Sequence, residues 1–180
     1  SDSVGYDSPL LDAVEVVNQR QKHVLFAKIS RYFGGQLKNK VVALWGLSFK
    51  PNTDDMREAS SRNLMEALWE AGASVQAYDP VAGEEVQRIY GDRADLKVCN
   101  SAEEALVGAD ALSIMTEWRE FRSPDFDLIR DSLSVAVIFD GRNLYDPGLL
   151  RGFGLDYFAI GRSNVAEEYS ELEPVHARAG

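Results

Sequence analysis

Three cations sit where an anionic ligand could be met. Lys50 and Arg57 belong to the run Gly46-Leu47-Ser48-Phe49-Lys50-Pro51-Asn52-Thr53-Asp54-Asp55-Met56-Arg57, and Arg142 belongs to Asp140-Gly141-Arg142-Asn143. Toward a phosphate, lysine acts as a point charge and arginine as a planar two-pronged donor. The run from Gly46 lacks the Gly-x-Gly-x-x-Gly spacing that lets backbone approach a pyrophosphate. Lys50 is also not preceded by the glycines of a Walker loop. Side-chain cations would therefore have to supply the phosphate contacts. Pattern alone leaves the blander alternative standing, in which Lys50 and Arg142 are ordinary loop cations facing water.

Other reactive residue types are sparse. Asp54 and Asp55 are adjacent carboxylates, an arrangement that suits capping a helix or orienting Arg57 or Arg62 better than binding a metal. Cys99 is the single cysteine, so no internal disulfide and no multi-cysteine zinc site can form. With no histidine near it in sequence, it reads as an inert, partly buried thiol. His23 and His176 are the two histidines, too few for most histidine-dependent constellations. No nucleophile is paired with a base, and no hydride-carrying cofactor site is evident. These residues describe a ligand-binding domain without complete chemistry of its own.

The composition narrows the class. Of 180 residues, 45% are hydrophobic and 27% charged, enough apolar material for a sizeable core. Lys and Arg number 19 against 29 Asp and Glu, a formal net charge of −10. A general nucleic-acid binder would need the opposite field, so no nucleic-acid partner is expected. No apolar run approaches the ~18–20 residues that cross a bilayer, and no signal-peptide pattern is read. A cytoplasmic protein without a membrane partner is the expectation, and one lone thiol fits a reducing compartment. The chain starts at Ser1 rather than at methionine, which fits a piece of a longer protein.

The elements that must position these residues alternate. Ser8 and Pro9 open a long helix, with Leu10, Val14, Val17, Val24, Leu25, Ile29 and Phe33 at helical spacing until Gly34-Gly35. About 25 residues at ~1.5 Å each make it roughly 38 Å long, more than one small domain needs. An interdomain or dimer contact is expected of it. Strands are expected at Val41–Trp45, Ser74–Tyr78, Leu96–Val98, Ala111–Met115, Val135–Phe139 and Tyr157–Ile160. Helices are expected at Ser61–Ala71, Val81–Tyr90 and, capped by Ser101, Ala102–Val107. Apolar strand runs without period-two alternation, separated by helices, predict a doubly wound, mostly parallel α/β sheet of about six strands. The divisions are 1–35 for the long helix, 36–162 for the α/β domain and 163–180 for a polar tail.

Ligands of such sheets bind beyond the carboxyl ends of the strands, near the point where strand order reverses. That rule selects the loop from Gly46, Asp79-Pro80, Glu117-Trp118 and Asp140-Gly141-Arg142-Asn143, and makes Lys50, Arg57 and Arg142 the cations expected to converge. Asp79 stands where a dinucleotide-binding fold places its ribose acid. Without the glycine fingerprint, Asp79-Pro80 reads instead as a turn. Glu117, Trp118 and Phe121 would either close over a ligand or cover the sheet edge.

The run from Gly46 to Glu58 resembles the signature of the carboxyl-terminal domain of nucleotide-sugar dehydrogenases, the UDP-glucose/GDP-mannose dehydrogenase family. Ala77-Tyr78-Asp79-Pro80, Thr116-Glu117-Trp118 and Phe139-Asp140-Gly141-Arg142-Asn143 fall in that family's order and spacing. Asn18-Gln19-Arg20-Gln21 resembles the end of its long central helix. The resemblance runs over about residues 9–162 and is nearest to the bacterial UDP-glucose 6-dehydrogenase type.

The resemblance implies an enzyme that oxidises UDP-glucose to UDP-glucuronate with two NAD⁺. In that enzyme an amino-terminal domain binds NAD, a central helix dimerises, and a carboxyl-terminal domain binds the UDP-sugar. The family's catalytic cysteine lies in a Gly-Gly-Ser-Cys-Phe-Pro-Lys-Asp-like motif that is not found here, and Cys99 does not match it. No catalytic residue is therefore expected in this chain, which resembles the enzyme's second half and is expected to be inactive alone. By motif, Phe49, Lys50 and Arg142 are implied substrate contacts, and Arg57 an arginine reaching toward NAD. The implied partners are UDP-glucose, the NAD-binding domain and a second copy through the long helix. Three alternatives remain: the same domain of a GDP-mannose or UDP-N-acetyl-hexosamine dehydrogenase, a free-standing nucleotide-sugar-binding module, and a pure oligomerisation domain that relies on the long helix.

Overall fold

Short runs form the strands, buried on both faces at the centre of the sheet and only half-buried toward its edges. They are β1 (Val41–Trp45), β2 (Ser74–Tyr78), β3 (Leu96–Val98), β4 (Ala111–Ile114), β5 (Val137–Asp140) and β6 (Asp156–Ala159). In the computed structural model, which describes residues 22–160, they form one sheet in the order β3-β2-β1-β4-β5-β6. Every neighbouring pair is parallel, as the strand–helix alternation predicts. The order reverses between β1 and β4, where Trp45 faces Ile114 in register. Residues 1–21 of the expected long helix and the expected tail 163–180 lie outside the described residues.

Helices cover both faces. Helix α1 occupies residues 22–32, and α2 (Ser60–Glu70) and α3 (Gly83–Tyr90) lie on the same side. The other side carries α4 (Ala102–Leu106), α5 (Phe126–Ser132) and α6 (Pro147–Gly152), with a 3-10 turn at Arg119–Phe121. Alternate strand residues feed the two cores. Val42, Leu44, Val137 and Phe139 pack with Leu25, Ile29, Leu64, Met65 and Leu68. Ala43, Trp45, Leu112, Ile114 and Ile138 pack with Leu106, Ile129 and Leu150 on the opposite face. Fully burying each such Leu, Ile or Val contributes about 1.5–3 kcal/mol before entropy is charged against it.

Several boundaries differ from the sequence expectation for local reasons. The helix expected from Val81 starts at Gly83, because the main-chain N–H groups of Val81 and Ala82 are bound by the Asp79 carboxylate, both at 2.9 Å. The strand expected from Val135 starts at Val137, because the Val137 N–H closes a tight turn onto the Val135 carbonyl at 2.8 Å. Helices α5 and α6 were absent from the sequence reading, yet each has a side-chain cap. Asp125 accepts from the Leu128 N–H and Asp146 from the Leu149 N–H, with Pro147 in the first turn.

Helix α1 is pinned to the far edge of the sheet. The Tyr32 hydroxyl donates to Asp156 Oδ2 at 2.6 Å, and Lys28 Nζ donates to the Ala159 carbonyl at 2.8 Å. The Tyr32 ring also meets Phe139 and Phe158 edge-on. Past residue 32 the helix unwinds through Gly34 and Gly35, both at positive φ, where the sequence places its stop.

Candidate functional site

The ends of β1 and β4 approach so closely that one position must be glycine. Gly46 has φ +90, and a Cβ there would lie 2.5 Å from Thr116 Cβ and 2.6 Å from Thr116 N. The Thr116 hydroxyl donates to the Ser48 carbonyl at 2.7 Å, and the Ser61 hydroxyl to the Leu47 carbonyl. The backbone leaving β1 is thus tied to β4 and to α2 before it reaches Phe49 and Lys50.

Asp79 is the hub of this arrangement. It is 6% exposed. Its Oδ2 accepts from the main-chain N–H groups of Leu47 and Ser48 at 2.7 and 3.2 Å, from Ser48 Oγ at 3.2 Å and from Trp118 Nε1 at 3.1 Å. Its Oδ1 accepts from the N–H groups of Val81 and Ala82. Six donors satisfy a buried carboxylate without a cation. The sequence reading of Asp79-Pro80 as a turn is right locally, but it missed the three loops that converge there. An acid with both oxygens engaged cannot also receive the hydroxyls of a ribose. Together with the absent glycine fingerprint, this means that the β1 loop and Asp79 do not fit a dinucleotide.

Arg142 crosses the mouth of the reversal point. Its backbone N–H is held by Asp140 Oδ1 at 2.7 Å, and Asp140, fully buried, also accepts from the Leu144 N–H and the Tyr157 hydroxyl. From that anchor the side chain runs back over β4. Nε donates to the Met115 carbonyl at 2.8 Å and Nη2 to the Phe49 carbonyl at 3.2 Å. The guanidinium therefore joins the loops after β5, β4 and β1. Glu117 Oε2 lies 3.1 Å from Arg142 Nε, yet this oxygen is buried and accepts no hydrogen bond.

Of the residues singled out from sequence, Phe49 and Arg142 meet directly, and Lys50 follows Phe49 on the same loop. Phe49 is 50% exposed. Arg57 lies farther along, its side chain 88% exposed and paired with Asp55 at 2.9 Å. That guanidinium, with a smaller contribution from Lys50, holds the Asp55 carboxyl down at about 2. The loop is closed beneath them by the Phe49 N–H on the Asp55 carbonyl at 2.8 Å. Of the pair Asp54 and Asp55, it is Asp55 that orients an arginine.

The remaining candidates take structural places. Phe121 is buried and stacks on Trp45, and Trp118 is buried over Asp79. They cover the sheet end. Cys99 is buried, and burial pushes its thiol up, away from reactivity. Among the described residues, no group of three or more His, Cys, Asp or Glu could hold a metal. Nor is any helix there long and apolar enough to cross a membrane. A shallow hollow at Ser74, Arg93, Ala94 and Asp95 opens at the amino-terminal end of β2, opposite the crevice.

Comparison with known proteins agrees with this geometry. A UDP-glucose 6-dehydrogenase of Pseudomonas aeruginosa is 48% identical over 161 residues, 88% of this chain and 36% of the relative. One from Bacillus subtilis is 37% identical over 163 residues, again 36% of the relative. The chain therefore spans about a third of the length of these curated relatives. The structure of a UDP-glucose dehydrogenase from Pyrobaculum islandicum superposes with a TM-score of 0.71 at 26% identity, over 84% of this chain and 32% of that one. Residues 43–147, more than half of the chain and covering the end of β1, β4, β5 and every loop of the crevice, match the model of the UDP-binding domain of one family. The chain belongs to the UDP-glucose/GDP-mannose dehydrogenase family, of which it carries the UDP-binding domain.

Proposed function

We propose that this chain is the UDP-sugar-binding half of a UDP-glucose 6-dehydrogenase. The carrying observation is the Arg142 guanidinium laid across the β1/β4 reversal, against the carbonyl of Phe49 and beside the Lys50 loop. Arg142 and Lys50 would hold the charged diphosphate, and the exposed Phe49 ring would pack against the nucleotide sugar. Arg57 would reach toward NAD from the rim. Residues 1–35 would end a dimerising central helix, 36–162 would form the binding domain and 163–180 a polar tail. The whole enzyme would convert UDP-glucose, two NAD⁺ and water to UDP-glucuronate and two NADH. NAD would accept the hydrides, held mainly by a domain other than this one.

Within that reaction, this chain's residues bind and orient. Interactions with the remote UDP group can hold the reacting sugar carbon in place, lowering the entropic part of the barrier. The catalytic cysteine motif that the resemblance implies is not found in this sequence, so the isolated chain would bind without turnover, in the cytoplasm of the cell.

Calorimetry of the chain with UDP, GDP and UDP-glucose tests the binding half of the proposal. UDP and UDP-glucose are expected to bind, and Lys50→Ala or Arg142→Ala to weaken them by about 1–3 kcal/mol per lost charged hydrogen bond. Unchanged affinity in both variants refutes the site. Joined to its NAD-binding domain, the protein is expected to make two NADH per UDP-glucose. Turnover on GDP-mannose or a UDP-N-acetyl-hexosamine alone would move the specificity.

A further inference from the structure

Arg142 is oriented by two main-chain carbonyls, those of Met115 and Phe49, and neither bond depends on another side chain. Glu117 stands 3.1 Å from the same Nε but receives no hydrogen bond from it, because the N–H points at Met115. What Glu117 brings to Arg142 is charge and not geometry. Both side chains are about one-third exposed, at 32% and 34%, so the carboxylate's field is felt in the crevice and only partly screened. A buried carboxylate oxygen that accepts no hydrogen bond is also costly to keep, which calls for a use.

Building on the reading of Arg142 as a phosphate contact, we propose that Glu117 sets the anion affinity of the crevice. It is a built-in counter-charge that weakens Arg142's hold on a nucleoside diphosphate. A ligand phosphate on the free side of the guanidinium would lie one residue's width from the Glu117 carboxylate. A product with the same diphosphate as the substrate must leave after turnover. A site with unopposed cations would retain it.

The test is calorimetry of the 180-residue chain with UDP and with uridine, for the wild type, Glu117→Gln and Glu117→Asp. Removing one unit charge at roughly 6–7 Å in a partly screened site is expected to tighten UDP about five- to tenfold in Glu117→Gln. The gain should shrink as salt is raised. Uridine, which carries no phosphate, should bind the variant as it binds the wild type, and Glu117→Asp should keep the wild-type affinity for UDP. Weaker UDP binding in Glu117→Gln would make Glu117 a geometric support, and unchanged binding would mean that solvent screens it; either overturns the inference alone. A uridine affinity that rises with that of UDP also overturns it, since the effect would not be electrostatic. A wild type that binds no UDP overturns this inference and the proposed function together.

Discussion

Asp79→Asn isolates the hub beneath the crevice. The substitution keeps the side chain's shape but turns one acceptor oxygen into an NH₂ that faces donors. Two placements of the amide exist. With nitrogen at the Oδ2 position, the N–H groups of Leu47 and Ser48, the Ser48 hydroxyl and the Trp118 indole all lose their acceptor. With nitrogen at Oδ1, only the N–H groups of Val81 and Ala82 do. The second placement costs less. Two lost hydrogen bonds to a charged acceptor, at about 1.5–3 kcal/mol each, give roughly 3–6 kcal/mol. Local relaxation at the start of α3 puts the expected loss near the lower end. That is a large share of the ~5–15 kcal/mol by which domains are stable. Urea unfolding followed by circular dichroism measures the loss, and calorimetry with UDP measures the site. The expected pair of results is a much lower midpoint with nearly unchanged UDP affinity, because the retained oxygen still holds the β1 loop. A loss under about 1 kcal/mol, the worth of one ordinary hydrogen bond, would show that water serves the α3 N–H groups and that the donor accounting is wrong.

Three further outcomes follow from the geometry. Gly46→Ala forces a Cβ against Thr116 at an unfavourable φ and is expected to cost about 2–5 kcal/mol, read as a fall in Tm; an unchanged Tm would contradict the close approach. Arg57→Ala should return the Asp55 carboxyl from about 2 toward its ordinary 3.8, visible by carboxyl NMR titration. Because the folded value is depressed, that pair acts above the unfolded pKa and is lost as pH falls toward 2, and a titration curve identical to wild type would refute it. At the alkaline end, burial, followed by the bond to Glu66, pushes Tyr90 up to about 12, and burial likewise raises Tyr32, Tyr78 and Tyr145. A raised folded pKa gives stability that is whole below the ordinary value of 10.0 and lost as pH rises toward 12, so urea midpoints should drop over that window; flat midpoints would refute the burial argument.

The central strand Val41–Trp45 was legible because a parallel sheet covered on both faces needs an unbroken apolar run there; Ser74–Tyr78 and Leu96–Val98 also stand where the sequence places them, although Gln76 and Lys97 interrupt them. Helices α5 and α6 were not, although Asp125 and Asp146-Pro147 are capping signals in plain view. At seven and six residues they are too short for periodicity to show. The carboxyl-end rule located the loops but not their connections. That Arg142 reaches the Phe49 carbonyl, 93 positions away, depends on the strand order. Asp79 was underrated for a related reason, since its partners come from the loops after β1, β2 and β4, and only one of those is adjacent in sequence. A buried acid following a strand and preceding a proline, with indole and hydroxyl donors after neighbouring strands, is the signal that was available.

The pairing of β1 with β4 also fixes when the crevice can exist. Val42 lies against Ala111, and the intervening chain forms β2 and β3 at the other side of β1. Closing so long a loop costs entropy that is returned only when both strands are in register. Helices α2 and α3 can gather on local contacts, but the Thr116–Ser48 and Trp118–Asp79 bonds await the central joint. Arg142 must wait longer still, for β5 to dock on β4. The crevice therefore depends on long-range strand pairing and not on local helix contacts alone. A chain interrupted anywhere between β1 and β5 could be rich in helix and still have nowhere to hold a ligand.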